Sequence, residues 1–150
     1  KAVRFVTPSE FIAENPASEI FNPSLSSWGQ KGYSSTWIDK SNSWIYKHMH
    51  RAAKRMEEMA GKNLRARGLL KKALNQAAKE LLLAQASDWA FMMQKEKASE
   101  FAARKFTEHI NNFSILYHEI TTGRISREHL ALLEHKDNIF PDIDFRIYAG

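Results

Sequence analysis

The sequence predicts an all-α protein, a helical bundle of about three long helices plus shorter ones. Three observations carry this prediction. After residue 44, apolar residues recur at three- and four-residue steps, which is the spacing of one helix face. Residues 17 to 43 have no such period and are rich in Ser, Asn, Gly and Pro, so they form a long N-terminal loop. The tail, DNIFPDIDFRIYAG, alternates apolar and acidic residues, and we expect it to lie extended across the bundle.

Length and composition describe one ordinary globular domain. The chain has 150 residues, of which 43% are hydrophobic and 26% charged, enough to bury a core of its own. It has no cysteine, which excludes disulfides and thiol chemistry and is compatible with a cytoplasmic protein. It has no apolar run of about eighteen residues, so we expect no membrane span.

The N-terminal part is divided into a short helix and a loop. KAVRFV, which opens the chain without Met, predicts a strand cut off from something upstream, so we expect a fragment of a larger protein. TPSE at residues 7–10 is a capping box that starts a helix, and Asn15-Pro16 ends that helix. The loop of residues 17–43 follows. A connection of that length is more often functional than idle.

Two long helical patterns come next. Ser41 or Asn42 is expected to cap the first, which ends at Gly61. The second runs from about Leu64 to Met93, and its segment LNQAAKELLLAQASDWAFMM is apolar on more than one side. It should therefore be the central and most buried helix.

A third long helix spans residues 98–123, and a shorter helix follows Ser126, which stands at an N-cap position. His109 lies on the apolar stripe of the third helix, where a hydrogen-bonded core residue is expected more often than a metal ligand. His48 and His50 are two residues apart and face different sides of a helix. We therefore expect no metal site. The chain also shows no nucleophile elbow, no P-loop and no paired carboxylates, so no catalytic residue is assigned.

Positive charge is concentrated in one region. Nine Lys or Arg residues lie between residues 46 and 72, against two Glu, although the whole chain carries only +5. Such a surface can attract polyanions, so a basic helical nucleic-acid-binding module is one alternative function. That hypothesis rests on six residues: Lys47, Arg51, Lys54, Arg55, Arg65 and Arg67. Solvated helix faces explain the same charges more simply, so we consider nucleic acid an unlikely partner.

Residues 24–37, SLSSWGQKGYSSTW, place Trp28, Tyr33 and Trp37 among serines and glycines that cannot pack a core. An exposed indole offers a flat apolar face on which a base or a sugar ring can stack. The loop carries hydroxyls and amides and only one charge, which favours a sugar over a phosphate backbone. A purely structural alternative is that the two tryptophans anchor the loop on the bundle.

Four blocks give the sequence a specific resemblance to a known family. SSWGQKGYSSTW, SNSWIYKHMHRA, LNQAAKELLLAQASDWAFMM and DNIFPDIDFRIY resemble, in this order, the C-terminal helical domain of glycoside hydrolase family 57 enzymes. The likeness covers essentially the whole chain and is greatest to the 1,4-α-glucan branching enzymes. It implies an upstream catalytic β/α barrel that works by a retaining mechanism and carries the catalytic Glu and Asp. This chain alone would then be catalytically silent, and the parent would be an α-glucan transferase.

The resemblance also implies site residues. In the branching enzymes two tryptophans of a W-G-x-x-G-Y-x-x-x-W pattern face the glucan cleft. Here these are Trp28 and Trp37, with Gly29, Gly32 and Tyr33 in the intervening frame.

Two further residues, Asp88 and Trp89, match a family block and are candidate contacts to a glucan hydroxyl, although an Asp there more often secures a helix end. Trp44 is expected to pack. The implied partners are an α-1,4-glucan such as amylose or a glycogen-like chain, and the barrel, to which residues 1–16 lead. Residues 44–150 form the bundle and tail. No cofactor is implied, and a family 57 α-amylase remains the alternative parent.

Overall fold

A computed structural model describes residues 3–16, 21–29, 32–95 and 98–150 of the chain. In these residues the regular secondary structure is helical and no strand occurs, which confirms the all-α prediction. No helix among them is both long enough and apolar enough to cross a bilayer. The helices are α1 (Pro8–Glu14), α2 (Trp44–Lys62), α3 (Gly68–Ala84), α4 (Asp88–Gln94), α5 (Ser99–Thr122) and α6 (Arg127–Lys136), with short 3₁₀ helices at Ser34–Thr36 and Phe145–Tyr148.

Helix α1 begins at the predicted capping box. The hydroxyl of Thr7 accepts a hydrogen bond from the backbone N–H of Glu10 at 3.3 Å, and the Glu10 carboxylate accepts from Thr7 N–H at 2.8 Å. No residue of α1 is buried within this chain. Residues 3–7 form no regular structure, so the strand predicted there is absent from its described part.

Helix α2 forms as predicted, but both of its ends differ from the sequence prediction. Neither Ser41 nor Asn42 caps it, because the N-cap position is Ser43, whose side chain makes no capping hydrogen bond. The Asn42 side chain instead accepts from Asp39 N–H at 2.7 Å and supports the preceding turn. At the other end the helix continues one residue past Gly61.

The second long pattern is two helices, so the prediction of one continuous helix was wrong. Helix α3 starts only at Gly68, whose φ of 58° lies in the left-handed region. The chain turns at residues 85–87, and Asp88 then begins α4 instead of ending the central helix. The indole N–H of Trp89 donates to the carbonyl of Leu83 at 2.7 Å and so adds a side-chain donor to one of the last carbonyls of α3.

Helix α3 is the central helix, as its apolar residues predicted. It packs along α5 and also contacts α2 and α6. The last turn of α5 ends at Gly123, with φ of 70°, and the hydroxyl of Ser126 accepts from His129 N–H to cap α6; both ends confirm the prediction. The buried residues of α3 are Ala73, Leu74, Gln76, Ala77, Ala78, Glu80, Leu81 and Ala84.

The tail lies on the bundle as predicted, but its final part is a 3₁₀ helix and not extended. Phe145 is fully buried in the main core, and its N–H donates to the Asn75 side chain at 3.0 Å. The Asp144 carboxylate lies 3.6 Å from Lys71 Nζ, so this acidic residue pairs with a basic residue of α3. These contacts fix the tail across α3.

Candidate functional site

A second, smaller core supports the part of the loop that carries Trp37. It joins the start of α2 to α4 and the first half of α5, and Trp37 packs partly against it. Trp44 lies edge-on to Phe106 at 5.3 Å between ring centroids, which confirms its predicted packing role. The buried members are Ile45, Ala84, Ala90, Met93, Ala102 and Phe106.

Three aromatic rings, Trp28, Trp37 and Phe91, meet above this core and form what we call the aromatic cluster. The centroids of Trp28 and Trp37 lie 6.1 Å apart, those of Trp28 and Phe91 5.8 Å, and those of Trp37 and Phe91 6.3 Å. Trp37 is half-buried, whereas Trp28 is 70% exposed. A large indole left in solvent beside two other rings offers an apolar platform for a ligand.

Two open cavities border the aromatic cluster. The smaller, of about 230 Å³, is lined by the three rings together with Ser87 and Asp88. The larger, of about 870 Å³, is lined by Ser27, Trp28, Gly29, Thr36, Phe91 and Lys95. Apolar ring faces next to a hydroxyl and a carboxylate suit a ligand with flat C–H faces and hydroxyl groups.

Asn42 fastens the loop to helix α4. Its side chain is fully buried, and its Nδ2 donates to the carbonyls of Thr36 at 3.1 Å and of Ala90 at 3.0 Å. The first carbonyl belongs to the loop and the second to α4, so a single amide joins the two parts of the aromatic cluster.

We expect Asn42→Ala to lower the free energy of unfolding by about 1–3 kcal/mol, because it removes two buried hydrogen bonds, to the carbonyls of Thr36 and Ala90. Urea unfolding measures this change. Asn111→Ala is the matched control, since Asn111 is exposed on α5 and should change stability by less than about 0.5 kcal/mol. Equal effects of the two substitutions would refute the role of Asn42.

Glycines shape the turn that presents Trp28. Gly29 has φ of 133°, and a Cβ added there would lie 2.4 Å from Thr36 Oγ1. Thr36 is only 2% exposed and cannot easily move away. Gly32 has φ of 69°, and its carbonyl accepts from Ser27 N–H at 2.7 Å, which closes the turn. Both predicted glycines therefore occupy positions that favour glycine.

We expect Gly29→Ala to strain this turn by about 1–3 kcal/mol and to displace the Trp28 ring. The tryptophan emission spectrum and urea unfolding measure the two effects. Gly61→Ala is the control, because a Cβ at this helical position meets nothing within 4 Å. It should be neutral or stabilising.

The other predicted site residues lie outside the two cavities. Tyr33 is 69% exposed but lines neither cavity. Trp89 is half-buried at the α3–α4 corner, where its ring lies 6.4 Å from those of Phe101 and His109. The structure thus brings together Trp28, Trp37 and Asp88. Ligand contact by these residues, and by Tyr33 and Trp89, stays a prediction.

Sequence reasoning missed Phe91. This residue follows Asp88 by three positions on α4, so the two side chains share a helix face. The block ASDWAF contained that spacing, and a correct helix start at Asp88 would have identified Phe91. The Nζ of Lys95 lies 5.6 Å from the centre of the Phe91 ring, one turn further along.

A buried polar network lies between α3 and α5. His109 Nδ1 is 2.9 Å from Glu80 Oε2, which confirms His109 as a hydrogen-bonded core residue. Burial acts to raise the pKa of Glu80, but hydrogen bonds from His109, Gln76 and Asn112 outweigh it and hold the pKa below its ordinary value. Glu80 is therefore an ionised carboxylate within the core.

The six basic residues of the nucleic-acid hypothesis lie on α2 and in the turn between α2 and α3. Arg55 already packs over the Tyr117 ring at 4.5 Å, so this guanidinium is engaged within the protein. The nucleic-acid hypothesis stays a prediction. A mobility-shift experiment with single- and double-stranded nucleic acid at two salt concentrations tests it, because such binding weakens steeply with salt.

A comparison with known protein families shows which family the chain belongs to. The family described as "1,4-alpha-glucan branching enzyme, C-terminal" matches residues 48–148. This chain belongs to that family. The match covers more than half of the chain and confirms the resemblance seen in the sequence blocks.

Relatives of known structure share this fold. The GH57-type branching enzyme of Pyrococcus horikoshii superposes on 99% of the chain, with a TM-score of 0.85 and 31% identity. The α-amylase AmyC of Thermotoga maritima matches 98% of the chain, with a TM-score of 0.79 and 37% identity. The branching enzyme TK1436 of Thermococcus kodakarensis, solved with glucose and additives, has a TM-score of 0.82 and 30% identity over 96% of the chain.

The family member described here spans only part of its relatives. It is 32% identical to TK1436 over 93% of the chain, but this region is only 22% of that protein. It covers 29% of the Pyrococcus horikoshii chain and 27% of AmyC. Most of the length of each relative therefore lies outside the region that this chain matches.

Proposed function

We propose that this C-terminal domain of a 1,4-α-glucan branching enzyme supplies a platform for the acceptor glucan. The observation that carries the proposal is the exposed Trp28 ring, which borders an open cavity together with Trp37, Phe91 and Asp88. The C–H faces of a glucose unit can stack on these rings. The Asp88 carboxylate is exposed and can accept a hydrogen bond from a sugar hydroxyl.

The chemistry itself would come from another part of the parent protein. Retaining cleavage of a glycosidic bond needs two carboxyl groups about 5 Å apart. In the described residues, Asp88 is the one carboxylate that lines either cavity at the aromatic cluster. The domain would position the acceptor and exclude water from the intermediate, which favours transfer over hydrolysis.

The N-terminal part of the chain would pack against the upstream catalytic barrel. Its large apolar side chains are exposed within this chain, and helix α1 buries none of its residues here. A catalytic barrel that precedes this domain in the same polypeptide would cover these exposed side chains. The exposed residues are Val3, Phe5, Val6, Phe11, Ile12, Phe21 and Leu25.

The experiment that tests this function uses the full-length parent with amylose. Each transfer event breaks one α-1,4 link and makes one α-1,6 link, without a new reducing end. We therefore expect α-1,6 links, counted after enzymatic debranching, to outnumber new reducing ends. Absence of new α-1,6 links would refute the branching assignment.

An α-amylase parent is the second candidate, favoured by the 37% identity to AmyC. The same assay separates the two, because hydrolysis creates one reducing end per cleaved link and no branches. The acceptor platform would then serve as a binding site for the chain being hydrolysed.

A further inference from the structure

Asp137 stands in an unusual position at the end of α6. It is the C-cap residue of α6, and its Oδ2 is buried with no hydrogen-bond partner in the described part of the chain. One ligand atom of Asp137 lies within 4.8 Å of those of both Glu80 and His109. An acceptor oxygen buried beside another carboxylate is unfavourable unless something donates to it or neutralises it.

Glu80 is not the donor to Asp137, because its contacts are those of an ionised carboxylate, which only accepts hydrogen bonds. Its Oε1 accepts from Gln76 Nε2 at 2.9 Å, and its Oε2 faces His109 Nδ1 at 2.9 Å and accepts from Asn112 Nδ2 at 3.2 Å. These contacts hold Glu80 ionised. An ionised Asp137 would place a second negative charge next to it in a poorly solvated region.

We propose that Asp137 binds a proton in the folded protein and donates it to Glu80, so that a carboxylic acid–carboxylate hydrogen bond latches the end of α6 onto α3. The Asp137 O–H would be the donor and a Glu80 oxygen the acceptor. When Asp137 ionises, its proton passes to solvent, and the two carboxylates then repel each other. The latch thus weakens as the pH rises.

The charges around Asp137 come from three helices. Burial raises the pKa of Asp137, and the charge of Glu80 on α3 raises it further; His109 on α5 and Lys136 on α6 oppose them. Lys136 also pairs with Glu108, so part of its charge is compensated.

The raised pKa of Asp137 determines how its contribution to folding stability changes with pH. A folded pKa above the ordinary value of 3.8 means that the folded state binds the proton more tightly than the unfolded state. The contribution of Asp137 to stability is complete below that ordinary value. It is lost as the pH rises through the folded pKa.

A divalent cation held by Glu80, His109 and Asp137 would be another way to neutralise the carboxylates. The geometry favours the proton, because the Nδ1 of His109 faces the Glu80 carboxylate and both Glu80 oxygens already have N–H partners. Of the two carboxyl groups, the one of Asp137 has no such partner among the described residues. A single proton on Asp137 supplies a donor between the two groups. A cation remains a distinct outcome of the test.

The experiment measures unfolding of this chain in urea at several pH values from about 4 to about 8. Asp137→Asn keeps an N–H donor toward Glu80 but cannot ionise. We expect the folded-to-unfolded ratio of the wild type, relative to Asp137→Asn, to fall by up to about tenfold per pH unit until the folded pKa is passed. Asp142→Asn, in the exposed part of the tail, is the matched control and should leave the pH dependence unchanged.

Titration of the Asp137 carboxyl carbon by NMR in the wild type needs no variant and decides the question if Asp137→Asn does not fold. A midpoint above 3.8 supports the latch, and a midpoint at or below that value overturns it. A constant difference between wild type and Asp137→Asn at every pH also overturns it. So does stabilisation of the wild type, but not of Asp137→Asn, by added Zn²⁺ or Ca²⁺, which would identify a cation site instead.

Discussion

Replacing Trp28 with alanine in the full-length parent is expected to reduce glucan transfer by roughly 5- to 30-fold, the equivalent of about 1–2 kcal/mol of lost stacking. The ring is 70% exposed and contributes little to the core, so the free energy of unfolding should change by less than about 0.5 kcal/mol. Formation of α-1,6 links from amylose measures the first effect, and urea unfolding measures the second.

The matched comparison is Tyr33→Ala. Tyr33 belongs to the same loop and is 69% exposed, but it borders neither cavity, so its substitution should reduce transfer less. Trp28→Phe should retain part of the activity, because a smaller ring can still stack. If Trp28→Ala unfolded the domain and left transfer per folded molecule intact, the tryptophan would be an anchor of the loop and not a glucan contact.

The second large effect concerns stability. We expect His109→Leu to lower the free energy of unfolding by about 3–5 kcal/mol near neutral pH, because it removes a partner from the buried carboxylate of Glu80. The pKa of Glu80 is lowered in the folded protein, so its contribution is present above its ordinary pKa and is lost as the pH falls. The difference between wild type and variant should therefore narrow in acid.

His118→Leu provides the control for this substitution. His118 lies on the same helix, α5, but is exposed, and its replacement should change stability by less than about 0.5 kcal/mol. Chemical unfolding at neutral and acidic pH measures both variants. A difference for His109→Leu that stayed constant with pH would show that lost packing, and not the contact between His109 and the Glu80 carboxylate, accounts for the effect.

The helical periodicity predicted α2, α5 and α6 because each of them turns one apolar stripe toward the core. It failed between Leu64 and Met93, where apolar residues occur on several sides and neither Gly nor Pro marks the corner at residues 85–87. The hydrogen bond from Trp89 to the Leu83 carbonyl stabilises that corner through a side chain. A pattern of local spacing contains no information about such a bond.

The sequence was sufficient to predict the part of the candidate site that lies in the loop of residues 17–43. Trp28 and Trp37 follow from their unusual setting and from the family pattern, and Asp88 follows from the family block. Phe91 was missed because the face of α4 is defined only when the start of that helix is known. The Asn42–Ala90 bond joins residues 48 positions apart, and Asp137 approaches Glu80 across 57 positions, so only the tertiary fold brings these pairs together.

The amide of Asn42 has a mechanical consequence for the aromatic cluster. Because this one side chain binds the Thr36 carbonyl next to Trp37 and the Ala90 carbonyl next to Phe91, the two segments are held in a fixed relative position. The distance between the tilted rings of Trp37 and Phe91 is therefore set by a buried hydrogen-bonded amide as well as by the contact of the rings themselves.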